Sequence, residues 1–553
     1  MRQWMVAAKK ADFYAIAEKF HVDPVVARII RNREVIGEKN IRIYLGGNLS
    51  DLSDPHQMKD MDRLVEILAQ KIRKQVHIRI IGDYDVDGVT SSHLFLTALR
   101  RVGAKVDVVI PHRIQDGYGL SLHLLQQAKE DGVDTILTCD NGIAAIDEIA
   151  WAKAQKMTVL VTDHHAVPFE EHEGRRTEKK SLADAVVNPH QQDCGYPYKE
   201  LCGAGVAWNV IRVLYENYDM DKREAEDLLD FVAMATVCDV MSLTGENRIL
   251  VKEGLKRIRH TKNIGLQALM QACNVQPENI SAYHFGYVLG PCVNATGRLD
   301  TARHALRLFE TGQETEAEEI ARDLVDLNQE RKELTLQGVE MAKKLCEEGG
   351  YENDPILVLF LPDVHESIAG LIAGRIREMY NRPVFVLTRG EEGVKGSGRS
   401  TENYSMYENM CGCAELFTKF GGHPMAAGLS LPEENVEKFR RKINENCPLT
   451  VEEVCPDIHI DMAMPVGYAS TELVHQFALL EPFGKDNPSP LFADRNLSIS
   501  RMWVIGKNRN VLRMSVLSEY GQPVPVIFFG DVETLFAYFT EKFGQEEVEN
   551  ALH

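Results

Sequence analysis

No apolar run in this chain approaches the roughly 20 residues that a membrane-spanning helix needs, so no such span is expected. Positive charge is scarce as well: 62 Lys and Arg face 82 Asp and Glu, a formal net charge of -20. That balance argues against a protein that coats nucleic acid non-specifically. It leaves room for a nuclease, in which a metal cluster and a few local arginines grip a phosphate chain inside an acidic body. Solubility alone is an equally good reading of the charge. No CxxC pair occurs, and Cys411-Gly412-Cys413 is too tight for the usual zinc spacing. The 11 cysteines, an odd number, therefore read as reduced thiols of a cytoplasmic protein. A GxxxxGK[ST] loop is missing, which removes the expectation of ATP hydrolysis. The first ten residues show neither a signal-peptide core nor a cleavage pattern. Internal repeats and low-complexity tracts are absent too.

What is present is enough for several domains, because 553 residues exceed what one core accommodates. Residues 1–50 look helical and polar, with Asp23-Pro24 as a helix start, and no chemistry is visible there. Leu49 to Pro55 reads as a linker and Asp60 to Lys74 as an amphipathic helix. From Val76 to Pro189 strand-like runs (Ile78–Ile81, Val106–Ile110, Thr135–Cys139, Thr158–Thr162, Ala185–Val187) alternate with helix-like ones. This is the pattern of a parallel sheet covered on both faces. Glu170–Lys180 reads as an exposed loop, Asn294 to Leu299 as a polar turn, and Thr301 to Gly349 as one nearly unbroken helix acting as a strut. A second α/β unit follows, with Gly-rich turns at Gly396–Ser400 and Gly421–Gly428. After Cys455 short alternating segments suggest a small OB-like β-barrel.

Acidic residues follow the apolar runs: Gly82-Asp83-Tyr84-Asp85-Val86-Asp87-Gly88, Asp140-Asn141-Gly142, Asp163-His164-His165 and Cys238-Asp239. Each has a plainer reading. The first is an Asp-rich helix cap, with Asp87 the best capping residue for the helix that follows, and the second is a turn. Two adjacent histidines behind an aspartate are harder to explain without a task. Loops at the carboxyl ends of parallel strands converge on one crevice, so these carboxylates are expected to meet there. One or two divalent cations would relieve their repulsion, and the Asp and His mixture suits Mn²⁺. No Ser, Cys or Lys nucleophile stands out.

GDYDVDG, the DNG, the DHH triplet and the later Asp239 resemble the four motifs of the DHH phosphoesterase superfamily, and GGHPMAAG resembles the signature of its DHH-associated C-terminal domain. With NATGRLD between them and a barrel at the end, the chain from Val76 onward is most similar to the branch of bacterial single-strand-specific 5′→3′ DNA exonucleases. The resemblance implies that Asp83, Asp85, Asp140, His164 and Asp239 bind Mn²⁺ or Mg²⁺. It places His165 behind the metal ligands or at the phosphate, and puts His165 and Asp140 in the catalytic group. Many small-substrate members carry a His four residues before the first Asp, where this chain has Arg79. Arg298 resembles the arginine that meets the 5′ end of the substrate. In the second domain Gly396, Gly398, Gly421 and Gly422 allow close backbone approach to phosphates, and Ser397, Arg399, Ser400 and His423 supply donors. Ser367 replaces a glycine usual in the family. Arg113, beside Asp116-Gly117-Tyr118-Gly119, is expected to line the groove. Phe483, Phe492, Trp503, Lys507 and Arg509 are barrel residues suited to single-stranded bases, or to a core.

The expected architecture is α/β: an N-terminal segment (1–50), a metal-binding domain (51–300), a long helix (301–349), a DHH-associated domain (350–450) and an OB-like barrel (451–553). The expected function is metal-dependent hydrolysis of single-stranded DNA from its 5′ end, in DNA repair and recombination, by a cytoplasmic monomer. Family analogy adds a single-strand-binding protein or a helicase as partners. The alternatives are a nanoRNase or cyclic-dinucleotide phosphodiesterase of the same superfamily, and a non-catalytic replication scaffold.

Overall fold

The computed structural model describes residues 4–113, 116, 119–172, 175–390, 393–455, 457–506 and 509–552. Two compact units emerge, Gly46–Pro456 with Pro482–Pro488, and Gln3–Leu45 with Asp457–Glu481 and Ser489–His553.

The first unit begins with a five-stranded parallel sheet. Its spatial order is Lys105–Val109, His77–Ile81, Thr135–Cys139, Thr158–Thr162, Ala185–Val187. His77–Ile81 and Thr135–Cys139 thus sit side by side while Lys105–Val109, which lies between them in the chain, is outside them. That reversal creates a crevice beyond their carboxyl ends, where open α/β sheets place ligands. Ile78, Ile80, Ile136, Leu137, Val159 and Leu160 are all fully buried, as expected of strands covered on both faces. Arg79 lies opposite Asp107 in the register and binds it twice, at 2.9 and 2.7 Å, while also reaching Asp131 at 2.8 Å. Its cation is therefore spent within the sheet's own ion pairs.

Several local expectations change. Glu170–Lys180 is in part a hairpin, Phe169–His172 with Arg175–Glu178. Asn294 to Leu299 is no turn but the end of the helix Gly290–Leu299, which continues a helical path from Ala282. The strut is two helices, Arg303–Glu310 and Glu314–Glu348, interrupted at Thr311-Gly312-Gln313. The long one packs Ala317, Ile320, Ala321 and Leu324 into the first core, and Val339 and Ala342 into a second core with Leu357, Leu359, Ile372 and Ile376.

That second core belongs to a mixed five-stranded sheet ordered Lys419–His423, Ala426–Leu431, Gly393–Arg399, Val384–Gly390, Leu357–Phe360. The segments read as Gly-rich turns are therefore mostly strand: Gly396 to Arg399 lies within one, and Gly421–Gly428 is a hairpin whose only turn is Pro424-Met425. Their glycines answer to packing: a Cβ on Gly396 would lie 2.4 Å from Leu387, and one on Gly398 only 2.3 Å from the Met406 sulfur.

The second unit ties the N-terminal segment to the C-terminal one. Trp4–Val6 pairs with Ile458–Ile460, so residues 1–50 are not wholly helical. Arg33 holds the buried Asp461 with two bonds, at 2.7 and 3.0 Å. Ser498–Ile505, Val511–Leu517 and Pro523–Phe529 form an antiparallel meander. Met502, Leu512, Val532 and Val548 form a core between one face of it and the helices Val532–Phe543 and Gln545–Leu552. Among the described residues no helix is long and apolar enough to cross a membrane.

Candidate metal centre

The loop after the strand His77–Ile81 turns straight into the helix Val86–Arg101. Asp85 caps that helix by accepting the Gly88 N–H at 3.0 Å. Gly88 is required by proximity, since a Cβ there would lie 2.4 Å from the Asp83 carbonyl oxygen. Asp87 does not cap its own helix, as the sequence suggested. Already inside the first turn, it reaches across and accepts the Gly203 and Ala204 N–H groups at 2.6 and 2.7 Å, capping the distant helix Gly203–Asn217. Asp140, after the third strand of the chain, has φ +62°, a strained conformation for a residue with a side chain and typical of functional sites. Gly203 makes room for it; a Cβ there would be 2.6 Å from that of Asp140. Asp239 ends the helix Leu229–Cys238.

These elements bring Asp83, Asp85, Asp140, His164 and Asp239 together, with Asp87 as an addition. Potential ligand atoms of Asp83, Asp85 and Asp140 lie within 4.8 Å of one another, and so do those of Asp87, His164 and Asp239. His164 Nε2 is 3.1 Å from Asp140, 3.5 Å from Asp239 and 3.7 Å from Asp87. Burial and then neighbouring carboxylates push Asp83, Asp140 and Asp239 well above the usual carboxylate range, and Asp85 upward as well. Burial lowers His164, keeping its imidazole neutral and fit to coordinate. His164 Nε2 is buried and makes no hydrogen bond among the described residues, and the buried Asp83 oxygens face only the backbone N–H groups of Tyr84 and Gly119. Carboxylates that repel one another, gathered around a neutral imidazole, fit one or two divalent cations bound by oxygen and nitrogen.

Asp163 has a different task. It accepts the N–H groups of Ile143 at 2.9 Å, His164 at 2.7 Å and His165 at 3.1 Å, and its Oδ1 lies 2.7 Å from His165 Nδ1. Burial alone would lower His165, but that bond and the surrounding carboxylates hold it up at about 9. Asn188 anchors the His165 carbonyl at 2.9 Å. The sequence displayed Asp87 and Asp163 inside its motifs; what it could not display was which backbone groups they face.

A groove of about 420 Å³ opens beside this centre, lined by Tyr84, Arg113, Ser397, Lys419 and Gly421 among others. Tyr84 stands between the two loop aspartates, and the Arg113 guanidinium lies 5.1 Å from its ring centre. Arg298 donates to the Ser367 carbonyl at 2.6 Å, bridging the two sheets' domains. Burial, followed by the charges of Arg113, Arg331 and Arg399, lowers Arg298 to about 10, so several cations lie near one another here. Ser367 is buried and its hydroxyl engages His365 Nδ1 at 2.7 Å, so the residue holds a loop as well as its carbonyl. Nothing within 4 Å occupies the Cβ position of Gly421, leaving its backbone approachable, whereas the space at Gly422 is filled by its hairpin partners Ala426 and Ala427. Ser400 is not brought to the groove; it is fully buried and donates to the Tyr404 carbonyl at 2.6 Å. His423 is exposed at the end of its strand. Phe492 stacks on Phe477, and Trp503 is exposed on the meander. Gly117, Tyr118 and Lys507 lie outside the described residues.

Fold and centre define a class. A DHH family N-terminal domain matches residues 77–236, a DHHA1 domain residues 353–447 and a RecJ OB domain residues 460–545. The chain is 34% identical over 518 residues to the single-stranded-DNA-specific exonuclease RecJ of Haemophilus influenzae, covering 90% of this chain and 88% of that protein. It is 33% identical over 512 residues to RecJ of Bacillus subtilis, covering 92% of this chain and 63% of the relative's length. A crystal structure of RecJ in complex with Mn²⁺ from Thermus thermophilus superposes with a TM-score of 0.79 at 27% identity, over 96% of this chain and 74% of that one. The chain belongs to the RecJ family of DHH proteins.

Proposed function

We propose that the chain is a metal-dependent exonuclease that hydrolyses phosphodiester bonds of single-stranded DNA from the 5′ end, in DNA repair and recombination. The observation that carries this reading is the Asp83, Asp85, Asp140, His164 and Asp239 cluster beside a groove lined by Arg113, with the Arg298 cation close enough to feel the charges of Arg113 and Arg399. Those five residues, with Asp87 alongside, would hold Mn²⁺ or Mg²⁺, which when bound would supply an acidified water and charge neutralisation at the phosphoryl oxygens. Arg298, Arg399, Arg113 and Ser397, with the Gly421 backbone, bind the phosphates at the 5′ end and set the scissile bond over the centre. His165, kept cationic by Asp163, donates to a phosphoryl oxygen as charge builds there. Asp140 holds the centre at the sheet's reversal point. No side-chain nucleophile is needed.

The same reading makes the protein a cytoplasmic monomer that works beside a single-strand-binding protein or a helicase. Its support is family kinship and the eleven cysteines, all free thiols.

The test follows a 3′-end-labelled single strand with Mn²⁺ and with EDTA, for wild type and Asp140→Ala. Stepwise shortening from the 5′ end, abolished by EDTA and by the substitution, is expected, and a matched duplex should resist. Cleavage of di- to tetranucleotides alone would overturn the reading in favour of a short-substrate phosphodiesterase. Strand binding without hydrolysis would leave only a scaffold.

A further inference from the structure

One helical path touches the first acidic loop, the end of the helix that carries Asp239, and the second α/β domain. It runs through Ala282–His284, a π-helical turn at Phe285–Leu289, and Gly290–Leu299. Arg298 near its C-terminal end reaches Ser367. A Cβ on Gly297 would lie 2.5 Å from the Tyr84 carbonyl oxygen, so the helix presses directly on the loop of Asp83 and Asp85. Asn294 accepts the Val86 N–H at 3.1 Å and fixes the same loop from its other side. Further back, a Cβ on Gly290 would lie 2.3 Å from the Cys238 sulfur, and Cys238 donates to the Phe285 carbonyl at 3.3 Å. The residue after Cys238 is Asp239. Along this one path the order is therefore 5′-end arginine, first acidic loop, last acidic residue, π-turn.

Beyond that point the path carries two tyrosines that no packing role explains. Tyr283 is 63% exposed and Tyr287 71% exposed. Their rings stack on each other at 5.1 Å with 24° between planes. A stacked and solvent-facing aromatic pair keeps a large π-surface in water, where it gains nothing for the core. The π-turn beneath it is a rare element that recurs at functional sites. At about 1.5 Å per residue, Tyr287 lies roughly 17 Å along the path from Arg298, with the metal centre between them.

We propose that Tyr283 and Tyr287 form a base-stacking platform for the single strand on the 3′ side of the scissile phosphate. The inference rests on the exonuclease reading. If the 5′ end is held at Arg298 and cut over the aspartates, the remaining strand leaves past Asp239, toward the π-turn. Stacking on tyrosine suits this position because every base offers a π-face, so grip does not depend on sequence. Phosphate contacts alone would not tell a strand with free bases from a paired one. A platform that needs unpaired bases does, and it adds a selection for single strands to the one made by the groove.

The experiment compares wild type with the double variants Tyr283→Ala/Tyr287→Ala and Tyr283→Phe/Tyr287→Phe. Substrates are a long single strand, the same strand with one abasic residue placed at successive positions, and an oligonucleotide too short to pass the centre. For the Ala pair, KM on the long strand should rise about tenfold, the size expected for the loss of a stacked base, with the loss falling on KM more than on kcat. The Phe pair should keep the wild-type KM. Wild type should be penalised by an abasic residue at one offset, and the Ala pair should be indifferent to it. The short oligonucleotide should not distinguish the three proteins, which also reports that they are folded. Wild-type KM in the Ala pair, or equal loss in the Phe pair, would overturn the proposal. Binding of the same strands in EDTA gives a readout independent of hydrolysis. Wild type that binds with the abasic signature but never cleaves would sink the exonuclease reading and keep the platform. Binding without that signature would sink the platform alone.

Discussion

Asp163 Oδ1 and His165 Nδ1 are 2.7 Å apart, and the same oxygen accepts the backbone N–H groups of His164 and His165. One buried carboxylate thus fixes the His165 ring and the backbone of both histidines. On the proposed reading it does so without being a ligand, and the three residues of the motif then have three different tasks. Asp163→Asn should remove the charge and leave the shape. His165, held at about 9, should fall toward its ordinary value near 6.5. NMR titration of the metal-free protein would measure that. Loss of activity should be on the order of 10- to 100-fold, as for other groups that orient metal-site ligands. Because the cationic ring is the useful one, the alkaline limb of the pH–rate profile should move to lower pH in the variant. An unmoved limb would remove His165 from the mechanism.

Repulsion within the centre leads to a trade between stability and activity. Asp83, Asp140 and Asp239 are each destabilised as anions by burial and by the others. Asp140→Asn relieves part of that. In EDTA the variant should unfold at higher denaturant concentration than wild type, by about 1–2 kcal/mol. With Mn²⁺ the order should reverse, because only wild type gains the full binding energy. Matching melting curves with and without Mn²⁺ for wild type would mean that the cluster binds no ion.

Much of this is legible in the sequence. The β-α alternation specifies the parallel sheet, and three of its five strands have the bounds of the apolar runs, because buried strands are continuous apolar runs. The four acidic stations can be placed at strand and helix ends, where chain order alone brings them to one crevice. Asn294-Ala295-Thr296-Gly297-Arg298 misleads because Gly and Asn are turn residues by propensity. Here Gly297 lies where Tyr84 presses in and Asn294 lies where Val86 needs a partner, so tertiary contact chose the residues and the helix tolerated them. Gly396 and Gly398 mislead for the same reason, and Ser400 looks like a donor because its sequence cannot reveal Tyr404 behind it. Asp87 shows the reverse: the capping residue is visible, but its helix lies more than a hundred residues away.

Away from the centre, His93 makes acid stability testable. It is buried between Phe231 and Phe309, with ring centres 4.4 and 5.8 Å away, and its Nδ1 makes no hydrogen bond among the described residues. Burial pushes it down to about 3. The unfolded chain takes up the proton near pH 6.5 and the folded chain does not. The stability is therefore fully present above 6.5 and is lost as pH falls toward 3. Near pH ~4.5 the loss should be about 3 kcal/mol. His93→Leu, apolar and without the orphaned nitrogen, should flatten this part of the stability curve in urea titrations at several pH values. An unchanged slope would assign the acid sensitivity to other groups.

Arg298 makes the sharpest claim about the 5′ end, since it serves two masters. Its guanidinium donates to the Ser367 carbonyl, which ties the two α/β domains, and it feels the charges of Arg113 and Arg399, so on the proposed reading its other donors meet the terminal phosphate. A lysine cannot do both, because a single ammonium lacks the planar fork that serves a carbonyl on one edge and a phosphate on another. Arg298→Lys should therefore recover little of what Arg298→Ala loses. For a strand with a 5′-phosphate the loss in kcat/KM should be about 100-fold, the size of a charge-assisted hydrogen bond to a buried partner. For the same strand ending in a 5′-hydroxyl, wild type should already be weakened and the variants should fall much less below it. The comparison separates the two roles. A purely structural arginine would lower both substrates equally, whereas one that meets the terminal phosphate would erase the difference between them. Equal losses on the two strands, with Lys fully rescuing, would take Arg298 out of the binding site and leave it as an interdomain tie.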